Sequence, residues 1–200
     1  MNNWLNETEL KGELVTLLPF QKTYREELLQ AASDGDLWNL WFTSVPSEKT
    51  IDQYIETALV EKTEGKSLPF IVVDQKTKKV LGSTRFCNVI TAHRRLEIGY
   101  TWYAKSVQRT GVNTECKYLL LGHAFETLGC IAVEFRTNWH NQASRNAIAR
   151  LGARQDGVLR NHQIDPNGIL RDTVVFSITR EEWPAVKKSL EFKMSNNQNR

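Results

Sequence analysis

Cysteine is scarce in this 200-residue chain: Cys87, Cys116 and Cys130 are odd in number, far apart and form no Cys-x-x-Cys pair. That pattern argues against a disulfide framework and a cysteine-rich zinc site. It fits reduced thiols filling core space in a cytoplasm. The four histidines, His93, His123, His140 and His162, show no metal-ligand spacing, so no metal is expected. No apolar run approaches the roughly 20 residues that span a bilayer, and the start, MNNWLNETELKGE, lacks a basic segment followed by an apolar one. The expected localisation is cytoplasmic, away from membranes. A net charge of +3, with no Lys/Arg cluster beyond short pairs, argues against direct nucleic-acid binding, although it suits an anionic ligand. Repeats and low-complexity linkers are also missing. With 40% hydrophobic residues, the composition suits one folded domain. Residues 1–194 are assigned to it, and the polar tail 195–200 is expected to be disordered.

Hydrophobic periodicity supplies the elements. Leu14–Leu18 reads as a strand ended by Pro19, and Thr23–Ala32 as a helix. A second helix follows Pro46, with Ser47 as N-cap and Ile51, Tyr54, Ile55, Ala58 and Leu59 as its apolar stripe. Pro69–Val73 and Val80–Asn88 form a hairpin around a polar turn. Leu96–Tyr103 is a strand whose alternation puts Glu97, Gly99, Thr101 and Tyr103 on one face and Ile98, Tyr100 and Trp102 on the other. Asn113–Leu128 is a helix ended by Gly129, Ile131–Thr137 a strand, and Asn141–Leu151 a helix with Asn141 and Gly152 as caps. Leu159–Ile164 and Leu170–Ile178 pair around the turn Asp165-Pro166-Asn167-Gly168. Thr179-Arg180-Glu181-Glu182 is a capping box for a last helix that Pro184 shortens or bends. Segregated antiparallel strands plus one βαβ-like crossover imply an α+β, or mixed α/β, fold.

One segment carries chemistry. The strand ending at Tyr103 runs through Gln108-Arg109-Thr110-Gly111-Val112-Asn113 into a long helix. Gly111 can adopt backbone angles that admit a ligand, and Asn113 can cap the helix. The first-turn N–H groups, Asn113 and Thr114 onward, lack intrahelical acceptors and lie at the positive end of the helix dipole. Strand, tight turn and helix N-terminus together make an anion site suited to a pyrophosphate.

That turn resembles the Gln/Arg-x-x-Gly-x-Gly/Ala turn of GCN5-related N-acetyltransferases, with Asn113 in place of the last small residue. The order of elements matches that fold from about Leu10 to Ile178. Glu97-Ile98-Gly99-Tyr100-Thr101-Trp102, Asn141-Gln142-Ala143-Ser144-Arg145 and Arg171-Asp172-Thr173 resemble the RimJ/RimL-type branch, whose known members acetylate ribosomal-protein N-termini. The resemblance implies a central, mostly antiparallel twisted sheet of about seven strands flanked by helices, splayed between the fourth and fifth strands.

It also implies acetyl-CoA as cosubstrate and direct attack by a primary amine. Glu97 is the candidate base; its alternative is a solvated strand residue or a partner of Arg94 or Arg95. Ser144 is the candidate donor to the departing thiolate, since the slot a tyrosine fills in many members holds Ile148; its alternative is a helix cap. Cofactor contacts fall to Tyr100, Thr101 and Trp102, whose backbone supplies the oxyanion donor and pantetheine edge, to Gln108, Arg109, Thr110, Gly111, Val112, Asn113 and Thr114, and to Asn141, Ser144 and Arg145. Trp38 and Trp41, with Asp34 and Asp36 nearby to draw an amine, and His162 are candidate acceptor contacts; aromatics at the spacing of the two tryptophans are more often core. The expected acceptor is a protein N-terminal α-amino group, possible partners including a ribosomal protein. The alternatives are a small-molecule amine or a non-catalytic CoA-binding regulatory protein. Monomer and homodimer are both open.

Overall fold

The computed structural model describes residues 4–165 and 167–198. Eight strands are seen among them: β1 (Leu10–Lys11), β2 (Val15–Pro19), β3 (Leu68–Asp74), β4 (Val80–Ile90), β5 (Arg95–Tyr103), β6 (Ala132–Asn138), β7 (Arg154–Ile164) and β8 (Leu170–Thr179). The five α-helices are α1 (Arg25–Ser33), α2 (Ile51–Thr63), α3 (Val112–Gly122), α4 (Gln142–Leu151) and α5 (Trp183–Gln198). The strands form one sheet in the order β1-β2-β3-β4-β5-β6-β8-β7, in which only β5–β6 is parallel. The α+β expectation holds. The strand count rises by one because Leu10–Lys11 adds a two-residue edge to β2.

Both faces of the sheet are covered. Leu17, Phe70, Phe86, Ile98, Phe135 and Val174 pack with Cys116, Leu120, Trp183 and Leu190 of α3 and α5. Ile71, Val73 and Trp102 pack on the other face with Leu28, Ile51 and Ile55 of α1 and α2. Strand β3 is buried on both sides, which explains its unbroken apolar sequence.

Most element ends follow local chemistry. Asn141 Oδ1 accepts the Ser144 N–H at 3.0 Å, Gly152 closes α4 at φ 106°, and Glu182 accepts the Thr179 N–H at 3.0 Å. Other ends depart from expectation, among them β7, which begins at Arg154 rather than Leu159. Ser47 turns onto Thr50, whose Oγ1 accepts its N–H at 2.8 Å, and α2 starts only at Ile51. Pro184 sits in the first turn of a 16-residue α5, where its missing N–H costs nothing, so it starts the helix rather than shortening it. The long helix begins at Val112 and, after Gly122, widens into a π-turn over His123–Thr127. The tail expected from Ser195 is helical as far as Gln198; Asn199 and Arg200 lie outside the described residues, as does Pro166 of the β7–β8 turn.

Two bulges shape β5. Asn88 (φ 47°) is an extra residue in β4, where pairing jumps from Cys87↔Glu97 to Ile90↔Arg95. Tyr100 (φ 50°) is an extra residue in β5, where pairing jumps from Arg85↔Gly99 to Ser83↔Trp102. Each bulge adds twist and re-aims side chains. The second breaks the expected alternation: Ile98 enters the α3 core, Tyr100 turns to the opposite face with Glu97, and Trp102 enters the α1–α2 core. On the other edge, β5 pairs with β6 only from Arg95↔Ala132 to Glu97↔Glu134. Beyond that point the strands diverge, which is the expected splay displaced one strand by the added edge.

Arg85 is 1% exposed on the α2 face of the sheet. Its Nη1 bonds Glu61 Oε2 at 3.1 Å, and its guanidinium lies 4.1 Å from the Tyr100 ring centroid. Removing Glu61 leaves that buried cation without its counter-ion. Glu61→Ala should therefore cost about 3 kcal/mol, more than Arg85→Met, which removes charge and cost together. Urea unfolding of the two variants checks this, and the reverse ranking would refute it.

Candidate active site

Beyond β5, the segment Gln108–Gly111 is braced from inside. Gln108 Nε2 donates to the Tyr103 carbonyl at 3.0 Å and Thr110 Oγ1 to the Val107 carbonyl at 2.6 Å. The left-handed residue is Arg109 (φ 63°); Gly111, with an ordinary helical φ of −69°, is the N-cap of α3. Gly111's conformational freedom is thus not what shapes the turn. Its value is space, since a Cβ there would lie 2.9 Å from Leu14 Cδ1. Asn113 is not the cap either, but stands half-buried in the first turn. The first helical bond runs from the Glu115 N–H to the Gly111 carbonyl at 3.0 Å, and the Val112 N–H reaches Thr110 Oγ1 at 3.3 Å. The N–H groups of Arg109, Thr110, Gly111, Asn113 and Thr114 have no acceptor among the described residues. They form a cradle of donors at a helix's positive end.

Two buried charges seat α3. The Glu115 carboxylate accepts the N–H groups of Glu13, Leu14 and Val15 at 2.9, 2.8 and 2.8 Å. Lys117, 5% exposed, donates from Nζ to Thr101 Oγ1 at 2.6 Å and Thr84 Oγ1 at 3.5 Å, directly behind the Tyr100 bulge. It has no carboxylate partner among the described residues, and burial pushes it down to about 8.

Glu97 closes the β5–β6 ladder and is 7% exposed. Its Oε2 accepts Asn88 Nδ2 at 2.7 Å and lies 3.6 Å from Arg136 Nε. Burial raises its carboxyl above the ordinary glutamate range, against the lowering pull of the Asn88 hydrogen bond and of Arg136. Arg95, a partner considered for it, instead bonds Glu134 Oε1 at 2.6 Å. Gly99 makes room for this carboxylate: a Cβ there would lie 3.0 Å from Glu97 Oε1 and 2.9 Å from Cys87 Sγ.

Past the splay, β6 ends at Asn138, whose Oδ1 accepts the His140 N–H at 2.9 Å. Asn141 then caps α4 and brings half-buried Ser144 to its first turn. Ile148 is core. Arg145 lies 4.3 Å over the Trp139 ring and donates to the Trp139 carbonyl at 3.3 Å. Tyr100 is 46% exposed, Thr101 is half-buried, and the Trp102 ring is in the core with Nε1 donating to Tyr54 Oη at 3.2 Å.

The acceptor candidates divide. Trp38 packs against the α1–α2 core, whereas Trp41 is 57% exposed and meets the His140 ring at 5.5 Å. His162 is exposed on β7, with Nδ1 3.1 Å from Thr173 Oγ1. Asp34 is committed to the Ser106 N–H at 2.9 Å. Sequence reasoning missed the Trp41–His140 contact, which joins residues 99 positions apart, and Arg171, whose charge interacts with Glu97 and Tyr100. Among the described residues no group of three or more His, Cys, Asp or Glu side chains could hold a metal ion, and no helix is long and apolar enough to cross a membrane.

A family model described as an acetyltransferase (GNAT) domain matches residues 15–154. A Bacillus subtilis (strain 168) protein with the provisional name ribosomal N-acetyltransferase YdaF is 32% identical over 107 residues, 50% of this chain and 57% of that one. A GCN5-related N-acetyltransferase structure from Brucella melitensis superposes with a TM-score of 0.84 at 28% identity, covering 94% of this chain and 85% of that one. Mycobacterium smegmatis RimJ, solved with CoA-disulfide, shares the fold with a TM-score of 0.76 at 23% identity over 93% of each chain.

Lys117 makes a stability test. Its folded value of about 8 lies below the ordinary 10.5, so the fold disfavours the ammonium form. The penalty is complete below pH 8 and fades as pH rises toward 10.5, because only the unfolded chain then holds the proton. Lys117→Met should be more stable than wild type at pH 7, with the gap narrowing across that interval. Parallel stability–pH curves would show that the lysine is not titrating as described.

Proposed function

The chain belongs to the GNAT superfamily of acetyltransferases, is of the RimJ/RimL type and is an N-acetyltransferase; from that premise we propose that it moves acetyl from acetyl-CoA to the α-amino group of a protein N-terminus by direct attack. The observation that carries this reading is one strand: β5 holds Glu97 where its ladder with β6 stops, and the same strand leads into the cradle of unpaired N–H groups.

Those N–H groups, with Arg109 beside them, hold the pyrophosphate. The free edge of β5 from Tyr100 to Trp102 takes pantetheine as an added strand, which fits a family relative solved with CoA-disulfide in the same fold. Acetyl-CoA supplies an acyl carbon activated by its thioester. A backbone N–H of the Tyr100–Trp102 segment stabilises the oxyanion, because the bulge at Tyr100 turns that stretch out of the β4 ladder. Glu97 removes the proton from the attacking amine, directly or through water; burial has already moved it toward working pH. Ser144 hydrogen-bonds the departing sulfur. Asn141 has committed Oδ1 to the helix cap, leaving its amide N–H₂ for pantetheine. Trp41 and His140 border the acceptor side. Asp34 is already bonded to Ser106 and Arg136 lies beside Glu97, which favours a peptide terminus over a small polycation.

An acetyl-transfer assay on peptides, read by thiol release, tests the whole reading. Glu97→Gln should lower kcat by about 10²-fold or more with little change in acetyl-CoA affinity. It should also remove the acidic limb of the pH–rate profile, which in wild type lies above the ordinary glutamate range. A profile that keeps this limb in the variant would remove Glu97 as base. Gly99→Ala should push the carboxylate aside and reduce kcat in the same assay, leaving CoA binding intact.

A further inference from the structure

On the Glu97 side of the sheet nearly every charge is accounted for. Arg85 pairs with Glu61, and Arg95 and Arg136 share Glu134. Arg171 is the exception. It is half-buried near the start of β8, two residues before the Thr173↔Asn138 pair that ends the β6 ladder, which places it at the open mouth of the splay. Its Nε is buried with no hydrogen-bond partner, and its guanidinium forms no ion pair among the described residues. Its charge nevertheless interacts with Glu97 and Tyr100. A partly desolvated guanidinium without an acceptor is costly unless something completes it. Glu134 already pairs with Arg95 and Arg136, Glu61 with Arg85 and Asp172 with Arg160, and Glu97 accepts from Asn88.

Resting on the acceptor reading above, we propose that Arg171 binds a carboxylate carried by the acceptor a few bonds from the reacting amine, making the preferred substrate a peptide that begins with Asp or Glu. Glu97 stands where the β5–β6 ladder stops and Arg171 just beyond the end of the β6–β8 ladder, so both border the opening between β5 and β6 through which an amine would approach. A guanidinium suits a carboxylate through paired N–H donors. Its charge also disfavours the ammonium form of the incoming amine, which must be neutral to attack. The same chemistry is available from the α-carboxylate of a free amino acid, and the assay separates the two.

Peptides identical except for Asp or Asn at the first position should be compared for binding to the CoA-loaded protein by calorimetry and for kcat/KM in acetyl transfer. Wild type should favour the Asp peptide by about tenfold or more, through KM. Arg171→Met should abolish that preference while acetyl-CoA affinity stays unchanged, and Arg171→Lys should restore part of it. Equal use of both peptides by wild type, or a preference that survives Arg171→Met, overturns the inference and leaves the N-terminal acetyltransferase reading standing. Loss of acetyl-CoA affinity in Arg171→Met also overturns it, since the arginine would then serve the cofactor. Acetylation of free aspartate and of neither peptide supports the Arg171 site while overturning the peptide acceptor.

Discussion

The parting of β5 from β6 after Glu97 is the constraint on which the rest of the site depends. A sheet that kept both ladders would use every N–H and C=O of β5 internally and leave no edge for a ligand. Here β4 and β5 carry one extra residue each, Asn88 and Tyr100, on either side of Glu97. The added twist turns the strand so that the β6 ladder stops at Glu97↔Glu134. The same distortion places Asn88 Nδ2 on the Glu97 carboxylate and sends Tyr100 to the face that Glu97 occupies.

Holding a strand in that shape takes support from both sides. On one face Arg85 lies under Tyr100 with Glu61 as its counter-ion. On the other, Lys117 reaches from α3 to Thr84 and Thr101, which also bond each other at 2.7 Å. Neither charge is cheap to bury, and a well-packed apolar pair would serve stability as well or better. Polar contacts do what apolar ones do not here, because they are directional and fix which residue bulges. Lys117 also belongs to the helix whose N-terminus forms the cradle of N–H donors, so cradle and bulge are tied together by one side chain.

The electrostatics of the Glu97 face follow from the same geometry. Burial lifts the carboxyl toward the range where a base can act, and nearby arginines keep it from rising further. Those arginines are neutralised by Glu61 and Glu134, except for Arg171. The face is therefore neither an acidic trap for cations nor a bare apolar slot. It is a desolvated carboxylate beside a guanidinium that has no ion pair among the described residues.

What the sequence determined by itself was much of what acts over a few residues. Asn141 and Gly152 as caps, Glu182 on the Thr179 N–H, the β3–β4 hairpin, and the approach of β5 to the helix at Gly111 are all legible, because capping and periodicity involve neighbours along the chain. The motif resemblance extended that reach to the α+β sheet and its splay. Tertiary structure decided the rest. The bulges fall on Asn88 and Tyr100, neither of which interrupts a strand pattern, so simple alternation places Tyr100 and Trp102 on the wrong face. Gly111 was assigned a backbone role that belongs to Arg109, since only packing reveals Leu14 beside it. Arg171 met Glu97, and Trp41 met His140, across separations that no local rule spans. Which charges are paired, and which one is left over, depends on distances set by the folded sheet, and a one-dimensional string does not contain them.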